Sequence, residues 1–123
     1  MAVKEMEILA GPFSKFRTIS LMNTPQSVKL LPGKIFEMLL TNSSTVGARF
    51  VKIYDKATSP IVASDVPVMT IYLEKSPNGQ VNYFSDQGID FTNGIWILCT
   101  NLVADTDNTA PTANDVIANI QFK

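Results

Sequence analysis

The residues best suited to chemistry form one polar loop, Asp105-Thr106-Asp107-Asn108. Oxygen ligands at alternate positions are typical of the start of a calcium-binding loop. The glycine and the distant glutamate that complete an EF-hand loop are missing here. Turn formation alone explains such a loop, because aspartate side chains accept hydrogen bonds from nearby backbone amides. We therefore predict no metal site and no cofactor.

The other acids and hydroxyls form no recognisable catalytic set. Four aspartates, Asp55, Asp65, Asp86 and Asp90, lie near predicted turns, where aspartate is favoured for structural reasons. The sequence contains no histidine. The usual serine triad therefore cannot form, and the commonest general base near neutral pH is missing. Since no glycine-rich phosphate loop occurs either, we predict that the protein is not an enzyme.

Composition narrows the possible partners. The chain has 123 residues and a formal net charge of −1, with its ten lysines and arginines scattered. That length predicts one domain with one core, and the charge gives no electrostatic footprint for nucleic acid or an anionic membrane. No segment approaches the ~20 apolar residues of a membrane helix, and the N-terminus lacks the pattern of a signal peptide. We expect a protein made or assembled in the cytoplasm.

The clearest structural signal is a pair of strands within residues 48–74. In the first, Val51 and Ile53 alternate with Phe50, Lys52 and Tyr54. The second, residues 68–73, alternates in the same way after a long polar connection. Period-two alternation of β-branched and aromatic residues is typical of strands in a sheet.

Shorter strands are predicted along the rest of the chain, at residues 13–22, 27–31, 34–41, 80–84, 95–101 and 115–123. The segment 34–41 is also compatible with a short helix. Ser76-Pro77-Asn78-Gly79 predicts a hairpin turn. Cys99 lies in an apolar strand and is expected to be a small buried hydrophobe. Many short strands with regular turn signals predict an all-β fold, a single-domain antiparallel β-sandwich of the jelly-roll type.

The N-terminal part is compatible with a helix or with an extended arm. Val3, Met6 and Leu9 have helical spacing, but the segment is short for an isolated helix. We predict an N-terminal arm or first strands over residues 1–22, followed by the sandwich domain over residues 23–123.

Both faces of the central strands are partly apolar, although a single core needs only one apolar face of each sheet. The second face predicts a contact surface, because aromatic residues are enriched at the centres of protein interfaces. Its candidate residues are Phe50, Tyr54, Val68, Tyr72 and Trp96. A sugar-stacking platform that includes Tyr83 is the alternative interpretation of the same aromatic residues.

Three segments carry a family resemblance: ARFVKIYDKATSPIVASDVPVMTIYL, SPNGQVNYFSDQGIDFTNGIWILCT and TAPTANDVIANIQFK. Over residues 27–123 their strand-and-turn pattern resembles the small β-sandwich virion proteins of tailed bacteriophages. The pattern contains no active-site motif. Where such sequences have small glycines before the hairpin strand, this chain has Glu74-Lys75-Ser76-Pro77.

The resemblance implies a capsid cement (decoration) protein that binds the outer shell of the particle and stabilises it. It further implies a homotrimer, with the major capsid protein or another virion protein as partner, located on the capsid surface. The alternative function is a receptor- or glycan-binding module of a tail fibre or baseplate, since one fold hosts many functions.

Overall fold

The structure is a computed structural model, and it describes residues 12–123. Within these residues no helix is long and apolar enough to cross a membrane. The part of the predicted arm that precedes residue 12 lies outside the described residues. The strands are β1 (Ser14–Thr18), β2 (Gln26–Lys29), β3 (Gly33–Asn42), β4 (Arg49–Asp55), β5 (Met69–Leu73), β6 (Gln80–Phe91), β7 (Ile95–Thr100) and β8 (Val116–Phe122).

The eight strands form two four-stranded sheets. Sheet I has the order β1-β8-β3-β6 and sheet II the order β2-β7-β4-β5. Every pairing is antiparallel. Because consecutive strands mostly lie in opposite sheets, the chain wraps repeatedly around one core, as in a jelly roll. The predicted all-β antiparallel sandwich is confirmed, and residues 14–18 form its edge strand β1.

The core lies between the two sheets and follows the alternation of the sequence. In β8, Val116, Ala118 and Ile120 are buried and Phe122 packs against them. The facing strand β7 contributes Ile95, Ile97 and Cys99. Burying an aliphatic side chain of this size contributes about 1.5–3 kcal/mol, so this face fixes the register of each strand.

The predicted hairpin at residues 76–79 is wrong. β5 lies in sheet II and β6 in sheet I, so the turn carries the chain from one sheet to the other. The Asn42 side chain holds this crossing by donating to the carbonyls of Leu73 (3.3 Å) and Glu74 (3.0 Å). The backbone N–H of Asn42 donates to the carbonyl of Gly79 at 2.6 Å. These contacts come from β3, far away in sequence, and the local turn pattern could not predict them.

Strand β6 is longer than predicted, because the polar residues after Phe84 do not interrupt it. Its pairing with β3 contains a register shift between Ile35 and Glu37. Gly88 has a positive φ of 79°, which a residue without Cβ adopts at little cost. A bulge of this kind bends a strand without ending it, so the polar residues around Gly88 mark an irregularity within one strand.

The buried thiol of Cys99 gives a pH-dependent prediction. The side chain is 0% exposed, and burial raises its pKa from 9.0 to about 12. Between these pH values the unfolded chain loses the thiol proton while the folded chain keeps it. The free energy of unfolding contributed by this group therefore falls as the pH rises through that window.

We expect Cys99→Ala to lower the free energy of unfolding near pH 7 by about 1 kcal/mol, the cost of a methyl-sized cavity. The difference from wild type should shrink or reverse between pH 9 and 11, because the variant has no thiol to titrate. Urea unfolding at pH 7, 9 and 10.5 measures the difference. A constant difference across these pH values would contradict a raised pKa of the buried thiol in the folded chain.

Candidate functional site

Four of the five predicted contact residues lie on the strands of sheet II, on its outer face, and Val68 directly precedes β5. In the register of the sheet, Phe50 of β4 lies opposite Tyr72 of β5, and Tyr54 lies opposite Trp96 of β7. Residues 51 and 53 point into the core, so residues 50, 52 and 54 point outward. The sequence prediction that these side chains share one face is therefore correct.

The structure differs from the prediction for Tyr54, which is 0% exposed. Tyr54 forms a small second cluster with Leu98 and with Val62 from the β4–β5 connection, and Trp96 packs against its edge. Burial, with the negative charges of Asp105 and Asp65, raises the pKa of the Tyr54 phenol. Tyr54 is covered by the chain itself and cannot contact a partner at this surface.

Trp96 is only partly exposed, and its indole nitrogen is buried without a hydrogen-bond partner within the described chain. One side of the indole is occupied by the second cluster. The sugar-stacking alternative requires an exposed aromatic face, and Trp96 offers only part of its ring to a ligand.

The β4–β5 connection, residues 56–68, is anchored over this cluster by one carboxylate. Asp65 pairs with the Lys56 ammonium at 2.8 Å and accepts from the backbone N–H of Ile61 at 2.7 Å. These hydrogen bonds lower the pKa of Asp65. The long polar connection predicted from the sequence is thus an ordered flap that places Val62 on sheet II.

A buried lysine holds a second loop over the same face. Lys52 is 0% exposed, and its Nζ donates to the carbonyls of Ala104 (2.6 Å) and Asp107 (3.1 Å) in the β7–β8 loop. Burial lowers the pKa of Lys52, while the charges of Asp107 and Asp105 oppose that shift. The alternation in β4 places Lys52 on the outer face but carries no signal for partners in a distant loop, so this anchor was missed.

The loop that contains the calcium-like motif is organised by its own hydrogen bonds. One carboxylate oxygen of Asp107 accepts from the Thr109 hydroxyl (2.6 Å), the Thr109 amide (3.3 Å) and the Leu102 amide (3.3 Å). Burial acts to raise the pKa of Asp107, but these bonds and the Lys52 charge lower it on balance. Within residues 12–123 no group of three potential metal ligands is found.

The two loops leave the β5 side of the outer face open. Val68, Thr70 and Tyr72 occupy alternate positions and are all exposed, Val68 by 56% and Tyr72 by 55%. The ring of Tyr72 leans on that of Phe50, with centroids 5.5 Å apart. We call Phe50, Val68, Thr70 and Tyr72 the β5 surface.

The other three sheet edges carry features that discourage pairing with another chain. β1 has Lys15 and Arg17, and β2 has Lys29 next to a register shift. β6 has a bulge after residue 84, where the acids Asp86 and Asp90 also lie, so that its uncharged and regularly paired part is limited to residues 80–84. Charged residues and bulges on edge strands are the usual protection against edge-to-edge association.

Strand β5 has none of these features. Its sequence, MTIYL, is uncharged, and its pairing with β4 runs without a register shift. Within residues 12–123 it pairs only with β4. An exposed, regular and apolar edge strand is a site where another strand can add.

The hydrogen-bonding groups that residues 12–123 leave unpaired at this edge follow from the pairing of β5 with β4. The Ile53 carbonyl points towards β5, because it accepts from the Val68 amide at 2.8 Å. Backbone groups alternate in direction along a strand, so Ile53 and Val51 face β5 and their partners Met69 and Ile71 face β4. The amides and carbonyls of Thr70 and Tyr72 therefore point to the open edge.

Comparisons with protein-family models, curated proteins and solved structures find no match to this chain.

The two tyrosines give a direct test of which residues form the surface. We expect Tyr54→Ser to lower the free energy of unfolding by about 3 kcal/mol, because it opens a cavity under the flap. Tyr72→Ser should change it by less than about 1 kcal/mol, because half of that side chain is already in water. Urea unfolding followed by circular dichroism measures both variants.

Tyr54→Phe is the matched control. The Tyr54 hydroxyl is buried without a hydrogen-bond partner in residues 12–123, so its removal should be neutral or stabilising. Equal losses for Tyr54→Ser and Tyr72→Ser would contradict the different burial of the two residues.

Proposed function

We propose that this protein is a non-catalytic structural protein of a virion, of the capsid decoration type, and that it assembles through the β5 surface. The observation that carries the proposal is the contrast among the edges: three are protected by charge or bulges, and β5 is not. An unprotected apolar edge is an aggregation hazard for a monomer, so its presence favours a protein whose edge is covered in an assembly.

The rigidity of the sandwich supports the same proposal. Most of the outer face of sheet II is covered by two anchored loops, so the part that residues 12–123 leave open is narrow and fixed in shape. A decoration protein repeats one contact many times on a shell, and contacts that are individually weak add through multivalency. A preorganised surface loses little entropy on binding, which suits such a role.

The family resemblance of the sequence supports a virion as the place where this protein assembles. Residues 27–123 resemble the small β-sandwich virion proteins of tailed bacteriophages, and that resemblance favours the capsid shell as the site of assembly. The predicted partners are the major capsid protein and further copies of this chain.

Copy number in purified particles tests the proposal. Quantitative mass spectrometry against the major shell protein should find this chain in hundreds of copies, close to the number of shell subunits. Tens of copies or fewer would place it in a tail, fibre or baseplate and favour the receptor- or glycan-binding alternative. Absence from the particle would contradict the virion assignment.

A surface variant tests whether binding to the particle uses the β5 surface. Tyr72→Ser should fold normally and bind particles stripped of this protein more weakly than wild type. Asn82→Ser, on the exposed part of β6, is the control and should bind like wild type. Equal binding by both variants would remove the β5 surface from the mechanism.

A further inference from the structure

We infer that the occupant of the β5 edge is the β5 strand of a second copy, paired antiparallel about a two-fold axis through Ile71. This inference rests on the proposed function, because it names the partner at the same surface. It predicts a specific two-fold contact, a continuous eight-stranded sheet made from two copies of sheet II. It thereby replaces the homotrimer that the resemblance implies with a pair that closes at two copies.

The hydrogen-bonding groups of the edge are self-complementary in this register. With Ile71 on the axis, Thr70 lies opposite Tyr72 of the second copy, and Tyr72 lies opposite its Thr70. Each such pair exchanges two backbone hydrogen bonds. The four free groups on each copy, the amide and carbonyl of Thr70 and of Tyr72, are then all used, which gives four hydrogen bonds between the two chains.

The side chains are compatible with the same pairing. Ile71 and Met69 are only partly buried where they pack against the core. On the inner face Ile71 would meet Ile71 of the second copy, and Met69 would lie opposite Leu73, which is already buried in its own core. On the outer face the exposed ring of Tyr72, already supported by Phe50, would lie beside Thr70 of the second copy. Aromatic and β-branched cross-strand pairs stabilise a sheet by about 0.2–1 kcal/mol each.

Charge does not oppose the contact. β5 itself is uncharged. In this register Glu74 faces Val68 of the second copy, and Lys75 faces its Pro67, so no like charges lie opposite each other. By contrast, two β1 strands brought together would juxtapose Lys15 and Arg17, and like charges directly opposite are destabilising. Among the four edges of residues 12–123, β5 is the one whose entire strand is uncharged and regularly paired.

The short length of β5 limits the expected affinity of the dimer. Stable complexes bury about 1,200–2,000 Å² in total, and a pair of five-residue strands provides less. We therefore expect a dimer that dissociates at concentrations on the order of micromolar, which repeated contacts on a particle would reinforce.

Sedimentation velocity of the full chain over a range of concentrations tests this pairing. Wild type should change from monomer to dimer as concentration rises. Thr70→Lys places a charge on the free edge and should raise the dissociation constant at least tenfold. Asn82→Lys adds the same charge to β6 and should leave dimerisation unchanged.

The register has its own test. Opposed residues at a pair without hydrogen bonds lie with Cα atoms about 4.5 Å apart, within the range for a disulfide. Ile71→Cys should therefore form a covalent dimer on mild oxidation. Thr70→Cys should not, because its two copies are diagonal. The native Cys99 is buried, and wild type treated in parallel controls for it.

Three results would overturn the inference: a wild type that stays monomeric at high concentration, a discrete trimer, or cross-linking of Thr70→Cys in preference to Ile71→Cys. None of them changes the copy number of the chain in particles. The failure of this inference and the failure of the proposed function are therefore distinguishable.

Discussion

The structure depends on covering the outer face of sheet II. The two central strands of this sheet, β4 and β7, carry apolar residues on both faces, and only their inner faces contribute to the main core between the sheets. The outer side chains Tyr54 and Leu98 also need cover, and the chain supplies it with the β4–β5 and β7–β8 loops. Without these loops the sandwich would expose a second apolar surface to water at a cost of about 25 cal/mol for each Å².

Two charged contacts make this arrangement possible. Lys52 is buried among apolar strands, yet its ammonium group donates to two loop carbonyls, which accept two of its three N–H groups. Asp65 fixes the other loop through Lys56 and a backbone amide. A buried polar group is tolerated when its hydrogen bonds are made. Neither loop covers the exposed side chains of β5, and within residues 12–123 this leaves its apolar edge open.

Local patterns predicted much of this fold. The alternation in β4, β5 and β8 gave the strands, their inward residues and the sandwich class, because a two-residue period is fixed by strand geometry. The same alternation put Phe50, Tyr54 and Tyr72 on one face. It could not show that Tyr54 is buried, since the covering residue Val62 reaches it through tertiary packing.

The features that the sequence did not predict also depend on contacts between residues that are distant along the chain. Asn78-Gly79 was expected to close a hairpin, but Asn42 holds that turn at the crossing between the sheets. The pattern around Lys52 gave no sign of its burial under the β7–β8 loop, because its partners lie more than fifty residues away along the chain. Propensity and pattern describe near neighbours in sequence, whereas these features are decided by contacts between distant elements.

The most direct measurement of the central claim, that β5 is the assembly surface, is amide hydrogen exchange at Thr70 and Tyr72. In dilute protein these amides should exchange rapidly, because they face an open edge, while the amide of Ile71 is protected by β4. In the assembled state all three should be protected. Slow exchange at Thr70 and Tyr72 in dilute monomer, or rapid exchange after assembly, would contradict the claim.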